Sequence, residues 1–142
     1  MGAAAKPANA IGLIVLSHGS LAEALAEACA FVLGGPAPLV TLGFRAGEEP
    51  RELARRLKAL LRKQDRGDGV LILVDLFGGT PGSTALSLVE PGRVEVITGV
   101  NLPMVVAAAT LPAGLTLQQA SARVAAAGTE AVKTAGPMLA GR

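Results

Sequence analysis

Four strand-length runs, each followed by a segment with helical signals, constrain this chain more than any other feature. They are Ile11-Gly-Leu-Ile-Val-Leu-Ser17, Leu39 to Leu42, Val70 to Val74 and Arg93 to Thr98. The first and third are apolar almost throughout, the pattern of strands buried on both faces of a sheet. Strand and helix alternating four times imply a parallel sheet covered on both faces by helices. The 142 residues suit one compact domain. We expect a flexible lead-in over residues 1–9, a single domain over 10–135 and a tail over 136–142.

The helical signals are local. Ser20-Leu-Ala-Glu23 reads as a capping box, in which Ser and Glu side chains satisfy each other's backbone amides. It opens a helix to Leu33, stopped by Gly34-Gly35-Pro36. Pro50 fits the first turn of a second helix, with Leu53, Leu57, Leu60 and Leu61 on one stripe and charge behind it. Thr80 and Pro81 read as N-cap and first residue of a third helix reaching Leu88. A fourth opens after Gly99-Val-Asn-Leu-Pro103 and is limited by Pro112. Thr116-Leu-Gln-Gln119 is another capping box, for a helix to Ala127 closed by Gly128. Thr129 to Arg142 is too short for another β–α unit.

Composition excludes several functions. No apolar run reaches the roughly 18–20 residues of a membrane span, and Met1 to Ala10 lacks the regions of a signal peptide. A cytoplasmic protein is the expectation. One cysteine, Cys29, leaves no internal disulfide framework and no multi-cysteine metal centre. With His18 as the one histidine, neither HExxH nor a two-histidine metal site can be built; we expect no metal and no cofactor. Eight of the 13 Lys and Arg lie between Arg45 and Arg66, interleaved with Glu48, Glu49, Glu52 and Asp65. Three aromatics, all Phe, offer little to stack bases on, so this charge is read as a solvated helix face and nucleic acid is not expected as a partner.

In parallel open sheets, ligands bind beyond the carboxyl ends of the strands, where strand order reverses. That places attention on Ser17-His18-Gly19, Gly43-Phe44, Asp75 to Thr80 and Gly99 to Pro103. Every informative polar cluster falls in one of these loops. His18 ends the first strand, and Gly19 removes a side chain beside its imidazole. Asp75 ends a strand of pure aliphatics, where a carboxylate needs a partner or solvent. A bond from His18 Nδ1–H to Asp75 fixes the tautomer and leaves Nε2 free as a nucleophile. Gly78-Gly79-Thr80-Pro81 is neither a Walker A loop nor GxGxxG, yet a glycine pair before a helix suits an anion.

Three segments together resemble the enzyme IIA domain of the mannose/fructose class of the bacterial phosphoenolpyruvate-dependent sugar phosphotransferase system. They are Ile14-Val-Leu-Ser-His-Gly19, Gly69-Val-Leu-Ile-Leu-Val-Asp-Leu-Phe-Gly-Gly-Thr-Pro81 and Val94-Glu-Val-Ile-Thr-Gly-Val-Asn-Leu-Pro-Met104. The resemblance covers roughly residues 10 to 135 and departs at Ser83, where many relatives carry Asn. It implies that His18 is the phosphorylated residue, Asp75 its paired aspartate, and Thr80 the hydroxyl beside the phosphoryl group. Gly19, Gly78 and Gly79 would bind that group with them, without Mg²⁺. Phospho-HPr would be the donor, enzyme IIB the acceptor, and membrane components IIC and IID indirect associates. The implied fold is a flavodoxin-like open α/β sheet, four parallel strands in order 2-1-3-4. The resemblance further implies a homodimer that exchanges a short antiparallel fifth strand, with Thr129 to Thr134 the segment left to supply it.

Other readings share parts of this pattern. Ser17-His18-Gly19-Ser20 alone fits a sirohydrochlorin-type metal chelatase, but that leaves Gly78-Gly79-Thr80-Pro81 and Gly99 to Pro103 unexplained. A regulatory phosphohistidine module without a transported sugar has the same accepting chemistry. The phosphocarrier subunit of dihydroxyacetone kinase shares the fold, and Gly99 to Met104 favours the mannose class over it. No residue reports which sugar is carried.

Overall fold

A computed structural model describes residues 10–141. The elements run β1 (Gly12–His18), α1 (Leu21–Leu33), β2 (Val40–Phe44), α2 (Pro50–Gln64), β3 (Val70–Val74), α3 (Gly79–Leu86), β4 (Val94–Thr98), α4 (Leu102–Ala109), α5 (Leu117–Glu130) and α6 (Ala135–Ala140). The four strands form one sheet in the order β2-β1-β3-β4, every neighbouring pair parallel. This is the order that the resemblance implies.

Side chains alternate across a strand, so β1 and β3 each feed two cores. Leu13, Val15, Leu71 and Leu73 pack with Cys29 of α1, Val105 and Ala108 of α4, and Ala120 and Val124 of α5. Ile14, Leu16, Ile72 and Val74 face the other way, onto Leu53 and Leu57 of α2 and Ala85 of α3. Leu53 and Leu57 are fully buried, each contributing about 1.5–3 kcal/mol by the transfer of its side chain from water. α2 starts with Pro50 at its first position, as expected. Its far end closes on β1, where a Cβ on Gly12 would fall 2.3 Å from the Gln64 carbonyl oxygen.

Several local expectations are corrected. Ser20 precedes α1 but its side chain caps nothing; its backbone (φ −95, ψ 9) lies outside the extended geometry an N-cap uses. Ser17 Oγ accepts the Ala22 amide instead, at 2.7 Å, and Glu23 pairs with Arg45 at 2.9 Å rather than reaching back. Gly78, not Thr80, is the residue before α3; Thr80 is the second helical residue, Pro81 the third, and the helix ends at Leu86. Gly128 does not close α5 but lies buried inside it, where a Cβ would meet Met104 Cγ at 2.6 Å. The Thr129–Thr134 segment is not a strand: Thr129 and Glu130 finish α5, and the following tail turns into α6. Lacking a strand partner, an Ala- and Gly-containing stretch continues the helix that a well-formed Thr116–Gln119 capping box has started.

The lead-in expected over residues 1–9 lies outside the described residues. Among those described, no helix is long and apolar enough to cross a membrane.

Candidate functional site

The parallel register sets the site. His18, the last residue of β1, pairs with Phe44 at the end of β2, while Leu16 pairs with Val74, the last residue of β3. Asp75 therefore enters the loop beside the end of β1, and its amide donates to the Leu16 carbonyl at 3.3 Å. This is the carboxyl end of the two central strands, where the connections leave toward opposite faces of the sheet.

His18 and Asp75 are joined twice. Asp75 Oδ2 accepts from the His18 backbone amide at 2.9 Å and lies 2.9 Å from His18 Nδ1. The other carboxylate oxygen, Oδ1, accepts from the Leu76 amide at 2.9 Å. Burial alone would raise the Asp75 pKa. The His18 amide, the imidazole and the Leu76 amide outweigh it and hold the carboxyl below the usual aspartate range. An ionised carboxylate can only accept, so Nδ1 carries a proton in this pair, and in the neutral ring Nε2 is the nitrogen that keeps its lone pair. The two side chains differ in access: that of His18 is 44% exposed and that of Asp75 10%. The imidazole is open to an incoming group while its orienting carboxylate is shielded.

The glycines have separate roles. Gly79 sits against the ring at φ +83, and a Cβ there would fall 3.0 Å from His18 Nε2 and 3.1 Å from Cε1. Only a residue without a side chain leaves the space beside Nε2 clear. Gly19 takes φ +55, a left-handed value that turns the chain from β1 into α1. Its amide donates to the Phe44 carbonyl at 2.7 Å. Gly78 is the extended residue before α3. Thr80 stands in the first turn of α3, partly exposed, and its hydroxyl makes no hydrogen bond among the described residues.

Two contributors escaped the sequence reading. A Cβ on Gly43 would fall 2.3 Å from the Gly19 carbonyl oxygen, so a glycine at the end of β2 lets the turn after His18 pack directly on it. Ser17, fully buried, bonds on both sides of that turn. The placement of Gly43 in a loop flanking His18 was a signal for the first. The second lay hidden because Ser20 offered the more familiar cap pattern.

Large apolar side chains surround this end of the sheet. Leu76 and Phe77, directly after Asp75, are exposed, as is Leu21 at the start of α1. Asn101, in the loop after β4, accepts the Met104 amide at 3.0 Å as the cap of α4, and its Nδ2 donates to the Gly128 carbonyl at 3.1 Å. That part of the fourth loop braces α4 against α5.

The sequence pattern of the family described as PTS system fructose IIA component, EIIA-man, matches residues 12–125. The chain belongs to this family. It is 32% identical over 136 residues to the fructose-specific EIIA component of Bacillus subtilis, spanning 88% of this chain and 93% of that protein. It is 37% identical over 97 residues to the mannose-specific EIIAB component of Escherichia coli K12, spanning 68% of this chain and 30% of that longer protein. Among solved structures, the mannose/sorbose specific IIA subunit of Enterococcus faecalis superposes with a TM-score of 0.79 at 29% identity, covering 87% of this chain and 93% of that one. The IIA fold is therefore shared along nearly the whole domain, while the chain spans about a third of the length of the mannose-specific relatives it matches.

Proposed function

We propose that this IIA chain is a phosphocarrier in which His18 Nε2 accepts a phosphoryl group from phospho-HPr and passes it to enzyme IIB. The observation that carries this reading is the 2.9 Å contact between His18 Nδ1 and Asp75 Oδ2, with the Nε2 edge left open beside Gly79. In the accepting step, the Nε2 lone pair forms a bond to phosphorus as the bond from phosphorus to the donor breaks. Positive charge develops on the ring, and Asp75 stabilises it through the Nδ1–H bond. In the second step a nucleophilic side chain of IIB bonds to phosphorus as the Nε2–phosphorus bond breaks, and the neutral imidazole, Nδ1 still protonated, is the leaving group.

Phosphoryl transfer asks for in-line placement and for stabilisation of charge on the equatorial oxygens, with little further covalent chemistry. The start of α3 supplies what the oxygens need: backbone amides at Gly79 and Thr80 with the positive end of a helix dipole, and a Thr80 hydroxyl without a partner among the described residues. Gly19 and Gly78 keep the approaches on either side free of side chains. An open imidazole ringed by exposed Leu21, Leu76 and Phe77 fits a phosphoryl group carried on a protein rather than a small enclosed substrate. We place the chain in the cytoplasm, with the membrane components IIC and IID acting downstream of IIB. The same reading includes a homodimer. β4 is a sheet edge whose residues are all partly exposed, and an open edge gains from being covered.

The test is ³¹P NMR of the protein after phosphorylation by phosphoenolpyruvate, enzyme I and HPr. An Nε2-phosphoimidazole signal that decays when IIB is added is expected. An Nδ1-phosphoimidazole signal would contradict the geometry, because Nδ1 is occupied by Asp75.

A further inference from the structure

Ser17 is the only fully buried polar side chain among the described residues, and it immediately precedes His18. A hydroxyl in that environment costs free energy unless it is hydrogen-bonded. Ser17 Oγ is bonded on both counts: it donates to the His18 carbonyl at 3.0 Å and accepts from the Ala22 amide at 2.7 Å. Its single proton and one lone pair are both committed. The hydroxyl thus joins two groups that the strand and helix leave unpaired, the carbonyl of the last β1 residue and an amide in the first turn of α1.

The consequence falls on His18. Its amide and its Nδ1 are both tied to Asp75 Oδ2, which holds the residue from the β3 side. Its carbonyl faces the turn into α1, where the next residue is a glycine at φ +55 that itself resists rotation poorly. Apart from the bond from the Gly19 amide to the Phe44 carbonyl, Ser17 Oγ is what fixes the His18–Gly19 peptide. We infer that Ser17 is a positioning residue for phosphoryl transfer. Its hydroxyl locks the backbone of His18 to the start of α1, so that the ring keeps Nδ1 on Asp75 and Nε2 in the cleared space beside Gly79.

This inference rests on His18 being the phosphoryl acceptor, and the experiment separates the two claims. Because the chain has one histidine, its ring nitrogens give unambiguous ¹⁵N signals. Wild type, Ser17→Ala and Ser17→Thr are compared by the ¹⁵N tautomer pattern of the ring at mildly alkaline pH, by thermal unfolding, and by single-turnover transfer across a range of phospho-HPr concentrations up to saturation. Ser17→Ala is expected to lose part of the Nδ1–H tautomer and to transfer roughly 10- to 100-fold more slowly, the scale on which a misplaced reacting group costs rate. The apparent affinity for phospho-HPr is expected to stay unchanged, since Ser17 is fully buried and out of reach of a partner protein. Ser17→Thr keeps the hydroxyl and is expected to recover both the tautomer and the rate.

A Ser17→Ala protein with the wild-type ring pattern and rate would overturn the inference. So would equal losses in the Ala and Thr variants, which would make the site a matter of volume alone. If wild type itself accepts no phosphoryl group, the assignment of His18 fails. The ring pattern then tests the orienting contact by itself: a shifted tautomer in Ser17→Ala shows that the Ser17 hydroxyl sets the ring, while the role in transfer falls with His18, and an unshifted tautomer refutes both.

Discussion

Substituting Gly79 by alanine probes the closest approach in the site. The added methyl would stand 3.0 Å from His18 Nε2 and 3.1 Å from Cε1, some tenths of an ångström inside ordinary contact. Two costs follow. Gly79 has φ +83, and holding a residue with a Cβ in the left-handed region costs on the order of 1–2 kcal/mol. The clash adds a second cost, relieved only if the ring or the start of α3 moves. The ring cannot move freely, because Nδ1 is bonded to Asp75 at 2.9 Å. The methyl also occupies space through which phosphorus would reach Nε2. A displacement approaching 1 Å at a reacting atom costs up to about 100-fold in rate, so we expect Gly79→Ala to slow transfer roughly 10- to 100-fold. Stability should fall by about 1–2 kcal/mol. Single-turnover transfer from phospho-HPr measures the first and urea unfolding the second. Wild-type rate in a Gly79→Ala protein would refute the reasoning, since the methyl could then not stand where the geometry puts it.

Other substitutions test separate contacts. Asp75→Ala leaves the nucleophile but removes its orienting carboxylate; a loss on the order of 2–4 kcal/mol of barrier stabilisation predicts transfer roughly 30- to 1,000-fold slower, read by the same assay with circular dichroism as the folding control. Because folding lowers the Asp75 pKa, its carboxylate contributes stability that is present in full above the unfolded value of about 3.9 and is lost as pH falls through the lower folded value. The stability gap between wild type and Asp75→Asn should therefore narrow as pH falls below about pH 3.9, as followed by denaturant melts from about pH 5 downward. Gly43→Ala would drive a methyl to 2.3 Å from the Gly19 carbonyl oxygen and should cost about 1–3 kcal/mol in urea unfolding while also slowing transfer, because the turn after His18 must shift. Asn101→Ala removes the α4 cap and the bond to Gly128; a loss of about 1–2 kcal/mol of stability with the transfer rate retained is expected.

The legible part of this fold was what repeats. Strand-length aliphatic runs and a 3.6-residue stripe such as Leu53, Leu57, Leu60 and Leu61 report burial directly, and parallel topology then limits where loops can gather. The bringing together of His18 and Asp75 follows from that topology, not from any local signal around either residue. What stayed hidden depended on contacts between elements. Ser20 and Glu23 carry the residues of a capping box, but Arg45 in the next β–α connection draws Glu23 away and Ser17 reaches the open amide first. Gly128 looks like a helix stop because a glycine usually is one. Here it is the small surface that lets Met104 and Asn101 approach α5, a reason visible only once α4 lies against it. The Thr80 assignment slipped by two residues for a related cause. Gly78 and Gly79 take the start of α3, and this turn is shaped by the ring of His18 rather than by local capping preference.

The central claim, that His18 is the one acceptor, is tested most directly by intact mass after incubation with phosphoenolpyruvate, enzyme I and HPr. Wild type should gain a single phosphoryl group that is lost when IIB is added, and a folded His18→Ala protein should gain none, because no other histidine is present to replace it. A phosphoryl group on the His18→Ala protein, or none on wild type under conditions that phosphorylate HPr, would contradict the account.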